Sequence, residues 1–404
     1  MRNILRIAVP VLLIVALLAV YFWPGSGIYW RVEGPADSEL NSIGQAWEIV
    51  TTDYVDAAKL DKGNLSQAAI RGMIEALHDP YSGYLDPQEY EMSQTSLQGS
   101  FGGIGAEVRV DPEGQLRVVA PIVGTPAEKA GILPGDKILE INGESTQGMS
   151  SIQAVVRIRG EPGTTVTLRI QHEGEDTPKD LVITREQISV TAVVPEMLAD
   201  NIAYLSVNDF SGRTAPELLA ALESFTRGNA TGIILDLRDN PGGFLNVAVD
   251  VASQFLKQGT VTYVVDGEGH RETYDVKSGG IATDLPMAVL VNGHSASASE
   301  ILAGVLQDYG RARIIGTRTL GKGSVNQFAE MSDGSAIYIT IARWYTPNGR
   351  QIEGQGITPD DVVEMTPDDI EHNRDPQLDR AIEYIKSLLQ AAAAQDSRAC
   401  STIV

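Results

Sequence analysis

Hydrophobic and polar positions change rhythm repeatedly along this 404-residue chain, and each change predicts a different kind of element. Arg2 and Arg6 precede an uncharged apolar run from Ile7 to Trp23, whose 17 residues stand between a secretory apolar region and a full membrane span. The run predicts an uncleaved anchor over residues 1–26, with Gly25-Ser26-Gly27 as the alternative cleavage point. Glu33, Asp37 and Glu39 outweigh Arg31 just beyond it, so the positive-inside rule keeps the N-terminus cytoplasmic and exports the rest. Residues 36–99 read as helical: Leu40, Ile43, Trp47 and Val50 recur at helical spacing, and a second run from Ser66 to Leu77 ends at Asp79-Pro80. Residues 100–186 switch to short β-branched stretches between glycines. Strands are predicted at Ile104 to Val110, Leu116 to Pro121, Lys137 to Asn142, Thr165 to Gln171 and Leu181 to Thr184, with short helices near 126–130 and 150–157. Over 187–375 the strands Gly232 to Leu237 and Met287 to Asn292 each run into a helical stretch, which predicts a mixed α/β domain. The 376–404 region holds a last helix, to Ala394, and then a frayed tail. The expected fold class is therefore α+β multidomain: a transmembrane helix, a helical segment, a β-rich module, and a mixed α/β domain.

Composition narrows what such a protein can bind. Hydrophobic residues at 43% and charged residues at 21% are those of a folded globular chain. A net charge of -22 repels phosphate backbones, so nucleic acid is excluded as an expected partner. The single cysteine, Cys400, can form no intrachain disulfide and no cysteine cluster for a metal, and it lies one position too late for a prenylation signal. No cofactor and no metal are expected. The sequence is compatible with a homo-oligomer but does not define the oligomeric state.

Three glycines surround an apolar residue in Phe101-Gly102-Gly103-Ile104-Gly105, immediately before a predicted strand. Such a loop can turn its backbone N–H groups toward an anion, and a terminal carboxylate is one. The segment resembles a PDZ domain, with Gly103, Ile104 and Gly105 matching its carboxylate loop and the run Thr125 to Asp136 matching its Thr-Pro-Ala-x-x-Ala-Gly-Ile-x-x-Gly-Asp pattern. The resemblance implies that residues 100–186 bind peptide C-termini.

The chemistry concentrates further on. Strand Met287 to Asn292 leads into Gly293-His294-Ser295-Ala296-Ser297-Ala298-Ser299-Glu300, followed by a helical face. A serine there sits at a helix N-terminus, where unpaired N–H groups favour an oxyanion, although serine is also a preferred helix cap. Local reasoning leaves Ser295, Ser297 and Ser299 equivalent. A base is needed, and none of the five histidines lies in an informative motif, His294 being merely near in sequence. Lys322 lies in Gly316-Thr317-Arg318-Thr319-Leu320-Gly321-Lys322-Gly323-Ser324. That loop nearly matches a nucleotide P-loop and fails where Gly323 replaces the metal-ligating hydroxyl.

Taken together, Asp79-Pro80-Tyr81-Ser82-Gly83-Tyr84-Leu85, Asp236 to Gly243, the serine run, Gly321-Lys322-Gly323, Tyr345 to Arg350 and Gly356 to Asp360 resemble the carboxy-terminal processing, or tail-specific, proteases. The resemblance implies a membrane-anchored serine endopeptidase, its catalytic part extracytoplasmic, cutting proteins with free C-termini. It implies Ser297 as nucleophile, Lys322, 25 residues later, as base, and an oxyanion hole from Ala298 with Gly242 or Gly243. Family members usually place glutamine four residues after the lysine; here Asn326 stands there, with Gln327 beside it. Asn326 is thus the expected third catalytic residue, one methylene short. The rival reading, from another class, is a non-catalytic membrane-anchored scaffold that binds C-terminal peptides.

Overall fold

The computed structural model describes residues 38–401 apart from 98–99, 112–113, 123, 150, 173, 176, 190 and 373. The predicted anchor over 1–26 lies outside the described residues. Among those described, no helix is long and apolar enough to cross a membrane. The chain divides into two compact units, Met1–Ala68 and Ala69–Val404. In the first, helix Ser38–Asp53 forms at the predicted place. Its apolar stripe is left uncovered, with Leu40 54%, Ile43 48% and Val50 39% exposed.

In the second unit the β-rich module forms as its alternation predicts. Strands Leu116–Pro121 and Thr165–Gln171 have the expected bounds, and helices Pro126–Lys129 and Ser151–Ile158 fall where proline and the apolar spacing put them. The strands Ala106–Val110, Leu116–Pro121, Lys137–Ile141, Thr165–Gln171 and Lys179–Thr184 adjoin in chain order in one sheet, every pair antiparallel. Its core is aliphatic, built on Ile104, Leu116, Ile138, Leu168 and Ile170. The module enters and leaves through one two-stranded ribbon, Ser100–Gly103 against Glu186–Ser189.

The following domain is built on a six-stranded sheet in the order 193–197, 202–207, 232–236, 287–291, 313–316, 361–362. The first pair is antiparallel and the rest are parallel. Strand Gly232–Asp236 is buried throughout, and its residues alternate between two cores. Ile233 and Leu235 pack with helices Thr214–Arg227, Leu245–Phe255 and Ala298–Asp308, while Ile234 packs with Ala381 and Ile385 of the last helix. Parallel strands covered on both faces read as continuous apolar runs, which is why these were visible in the sequence. The last helix extends over Pro376–Ser401, past the point where a frayed tail was expected.

A second sheet was not legible. Strand Ala336–Tyr345 is paired by Ser324–Glu330, by Thr260–Asp266 and by the three-residue strand Gly83–Leu85. That last strand belongs to the Asp79-to-Leu85 motif in the segment read as helical, so residues before the β-rich module complete the sheet after it.

Candidate active site

The parallel strand Met287–Val291 ends beneath the serine run, and the run enters helix Ala298–Asp308. Burial separates the three serines. Ser295 and Ser299 are fully buried, and their hydroxyls donate to Leu237 O at 2.7 Å and Asn240 O at 2.9 Å. Ser297 is only half-buried, at the position preceding the helix, with φ 55° and ψ −114°. A serine at positive φ stores backbone strain of about 1–3 kcal/mol, which persists only where surrounding contacts enforce it.

Glu300 supplies that enforcement. It is fully buried, and four donors converge on its carboxylate. Oε1 accepts from Thr319 Oγ1 at 2.6 Å and Gly321 N at 2.7 Å; Oε2 accepts from Ser297 N at 2.9 Å and Lys322 N at 2.9 Å. Ser297 and Lys322, distant in sequence, thus meet at one carboxylate oxygen. Burial pushes the Glu300 carboxyl up from its ordinary value, and the four donors oppose that. Three of the four donors are backbone N–H groups that can only donate, and the fourth, Thr319 Oγ1, also accepts from Ile357 N at 2.7 Å, an environment that favours the carboxylate form. Glu300 is not among the site residues expected from the sequence, although its place three positions after Ser297 is capping-box spacing.

The Lys322 backbone is held on its other side by Trp344, whose indole Nε1 donates to Lys322 O at 3.0 Å. The Lys322 side chain is half-buried, with Nζ 5.3 Å from the Tyr81 ring centroid and 5.8 Å from that of Tyr338. Burial pulls its pKa below the ordinary lysine value, against the opposing charges of Glu353 and Asp79. The Asn326 Oδ1 accepts from Ser324 Oγ at 3.1 Å, while its amide nitrogen donates to Tyr81 O and Thr340 Oγ1, both at 2.9 Å. A register shift between Val325 and Asn326 accompanies this turn of the side chain. Gln327 is exposed.

The turn Asn240 to Gly243 closes the site. Asn240 is fully buried, donates to Val207 O at 2.6 Å and accepts from Gly242 N at 2.8 Å. The Gly242 N–H is therefore engaged within the turn. Gly242, at φ +98°, leaves no space for a side chain: a Cβ would meet Ala296 O at 2.7 Å, Ser297 Cβ at 2.8 Å and Ala298 N at 2.9 Å. Below the turn, Arg238 joins Asp236 to Asp375 at the start of the last helix, with contacts of 2.6 and 2.8 Å. His294 directs Nδ1 at Asp239, 2.8 Å away, and is 80% exposed, so it is not placed as a base for Ser297.

In the β-rich module, Gly103 is the last residue of the entry strand, and the loop that follows is pinned by its carbonyls. Ile104 O accepts from Ala127 N at 2.7 Å, and Gly105 O from Ile122 N at 2.8 Å and Thr125 Oγ1 at 3.0 Å. A groove of about 270 Å³ opens beside it, lined by Phe101, Ile104, Gly105, Val155, Ile158 and Arg159 among others. The Arg159 guanidinium lies 3.8 Å from the Phe101 ring centroid, and burial pushes its pKa down to about 10. Arg157, the other arginine at this helix end, pairs with Glu144 inside the module at 2.8 Å.

The chain is similar to known proteins. The pattern of Peptidase family S41 matches residues 201–363, that of a PDZ domain residues 117–172, and that of the activating protease CtpB N-terminal domain residues 31–89. The chain is 37% identical over 341 residues to a carboxyl-terminal-processing protease of Synechocystis sp., covering 83% of this chain and 79% of that one. It is 41% identical over 335 residues to a carboxy-terminal-processing protease of Bartonella bacilliformis, covering 81% and 75%. Among solved structures, a photosystem II D1 C-terminal processing protease matches with TM-score 0.55 at 29% identity, over 83% of this chain and 96% of that one. With relatives of this identity and coverage, and a strained serine at the end of a parallel strand, the chain belongs to the carboxyl-terminal processing proteases, serine-type peptidases of family S41 that carry a PDZ domain.

Proposed function

We propose that this hydrolase cuts with a Ser297–Lys322 dyad through an acyl-enzyme, the PDZ domain presenting the substrate's C-terminus. The observation that supports the dyad most directly is the shared Glu300 oxygen, which ties both backbones together. A lysine with the solution pKa of about 10.4 is neutral only about once in 2,500 at pH 7, a deficit of roughly 5 kcal/mol. Burial of Lys322 lowers that deficit. Neutral Lys322 takes the Ser297 Oγ proton as Oγ attacks the scissile carbonyl. The N–H groups of Ala298 and Gly243 receive the oxyanion, and Lys322 returns the proton to the leaving amine. Water, deprotonated by Lys322, then hydrolyses the ester and frees Ser297. Asn326 enters this scheme through Tyr81, whose carbonyl it holds, and not by a hydrogen bond to the amine.

The tight turn makes one outcome specific. Gly242→Ala pushes a methyl group between the turn and Ser297, so kcat is expected to fall about 100-fold, as a misplacement of about 1 Å produces, with KM little changed. Steady-state kinetics on a labelled peptide check this, and a wild-type kcat would show that the turn does not border the reacting atoms.

Tail recognition is tested by mass spectrometry on one unstructured polypeptide with a free or an amidated C-terminus. The free form is expected to be cut at least tenfold faster, since the amide removes the charge the Gly103-to-Gly105 loop would hold. Equal rates would remove the PDZ domain from substrate selection. The apolar run Ile7 to Trp23, preceded by Arg2 and Arg6, supports an anchor over residues 1–26 in the cytoplasmic membrane with the protease outside the cytoplasm. Protease accessibility of the full chain in intact and permeabilised cells tests that placement.

A further inference from the structure

Glu353 sits against the lysine loop. A Cβ on Gly323, the residue after Lys322, would stand 2.4 Å from Glu353 N and 3.0 Å from its Cβ. The Glu353 Oε2 atom is buried and has no hydrogen-bond donor among the described residues. Its nearest cation, Arg343 Nε, is 4.0 Å away, too far for a hydrogen bond, and Arg343 Nη1 is likewise buried and unbonded. Buried polar atoms in this condition are few in folded proteins and call for an explanation.

Lys322 offers one. Two carboxylates act on its amine, Glu353 and Asp79, and two rings face it, Tyr81 and Tyr338. Asp79 is already satisfied by Tyr81 N at 3.1 Å, Ser82 Oγ at 2.7 Å and Thr340 Oγ1 at 2.6 Å. Glu300 is saturated with its four donors, and Arg343, on strand Ala336–Tyr345, makes no hydrogen bond to Glu353 among the described residues. Of the acids around the lysine, Glu353 is the one with an uncommitted buried oxygen. Asn326, expected to orient the amine, accepts at Oδ1 from Ser324 Oγ and donates to Tyr81 O and Thr340 Oγ1.

We propose that Glu353 is the positioning residue for Lys322, its carboxylate drawing the amine toward Ser297 and stabilising the ammonium formed when Lys322 takes the serine proton. The role rests on the reading of Lys322 as base. No proton passes to Glu353: the Ser297 O–H breaks, a Lys322 N–H forms, and the new positive charge is attracted by the carboxylate on the adjoining segment. Glu353 would thus take over the orienting role that a glutamine has in the pattern from which Asn326 departs, with a charge in place of an amide.

Sign distinguishes this from a purely structural role. Activity rises with pH as Lys322 loses its proton. Removing the Glu353 charge lowers the lysine pKa, so in Glu353→Gln the acid limb of kcat/KM moves down by about half to one unit while plateau kcat falls about tenfold. Removing Arg343 frees Glu353 to act on the lysine, so in Arg343→Gln the limb moves up. Glu353→Asp keeps the charge and is expected to hold the limb near its wild-type position. The measurement uses the full chain and fluorescein-labelled casein, with Lys322→Ala in parallel. Opposite shifts in Glu353→Gln and Arg343→Gln support the proposal. If Glu353→Gln is too unstable to assay, a limb in Glu353→Asp that matches wild type while Arg343→Gln rises supports it as well. An unmoved limb in Glu353→Gln, or a shift of the same sign in both, overturns the Glu353 role alone. Wild-type cutting by Lys322→Ala overturns the dyad and the Glu353 role together.

Discussion

Ser297→Ala and Lys322→Ala are each expected to lower cleavage of labelled casein by at least about 10⁴-fold, and the double variant to be no worse than either. The reason is that the two groups act in one event. Without the hydroxyl there is no acyl-enzyme; without the amine the hydroxyl keeps its proton. Neither change disturbs the PDZ domain, whose core of Ile104, Leu116, Leu168 and Ile170 is separate from the helix that carries Ser297. Binding of a fluorescent C-terminal peptide should therefore survive in both. Retained binding with lost cleavage also separates a protease from a scaffold, since a scaffold would be indifferent to either substitution. A single variant cutting at the wild-type rate removes that residue from the dyad.

Glu300→Gln has the next largest expected effect, and the carboxylate geometry explains why so small a change matters. Each Glu300 oxygen receives two donors, Thr319 Oγ1 and Gly321 N on one, Ser297 N and Lys322 N on the other. A glutamine offers one oxygen and one NH₂, so in either orientation two buried donors face a third. Loss of a buried charged acceptor on this scale costs about 3 kcal/mol. If the NH₂ faces Ser297 and Lys322, the positive-φ serine relaxes and the two backbones part. A fall in kcat of about 100-fold is expected at temperatures where the variant remains folded. Urea denaturation and kcat measured together check this. A variant with the wild-type urea midpoint and wild-type kcat would show that Glu300 neither holds the loops nor shapes the site.

Much of the fold was legible because burial imposes a pattern. The strands of the PDZ domain alternate between an aliphatic core and solvent, so Leu116–Pro121 and Thr165–Gln171 were read at their observed bounds. The parallel strands Gly232–Asp236 and Met287–Val291 are apolar on both faces and equally plain. Strand Gly83–Leu85 was not, because three residues carry no period and its partners, Tyr338 to Ala336, lie far along the chain. Asn326 shows a subtler limit. Its identity was known from the start, but the register shift beside it sends its amide to Tyr81 O and Thr340 Oγ1.

The sequence by itself determined the family, the order of domains, the absence of a cysteine framework and the two residues on which the chemistry is proposed to rest. Those follow from residue identities and short spacings, which survive in one dimension. Local pattern left the three serines equivalent, because each has the same side chain at the same kind of junction, and only the family resemblance pointed to Ser297. The tertiary structure gave the physical difference between them, burying Ser295 and Ser299 against carbonyls of Leu237 and Asn240 and leaving Ser297 strained and half-buried. The same holds for the acids around Lys322: which of them is satisfied and which has an uncommitted oxygen depends on donors contributed by segments far apart in the chain, and no local pattern encodes that.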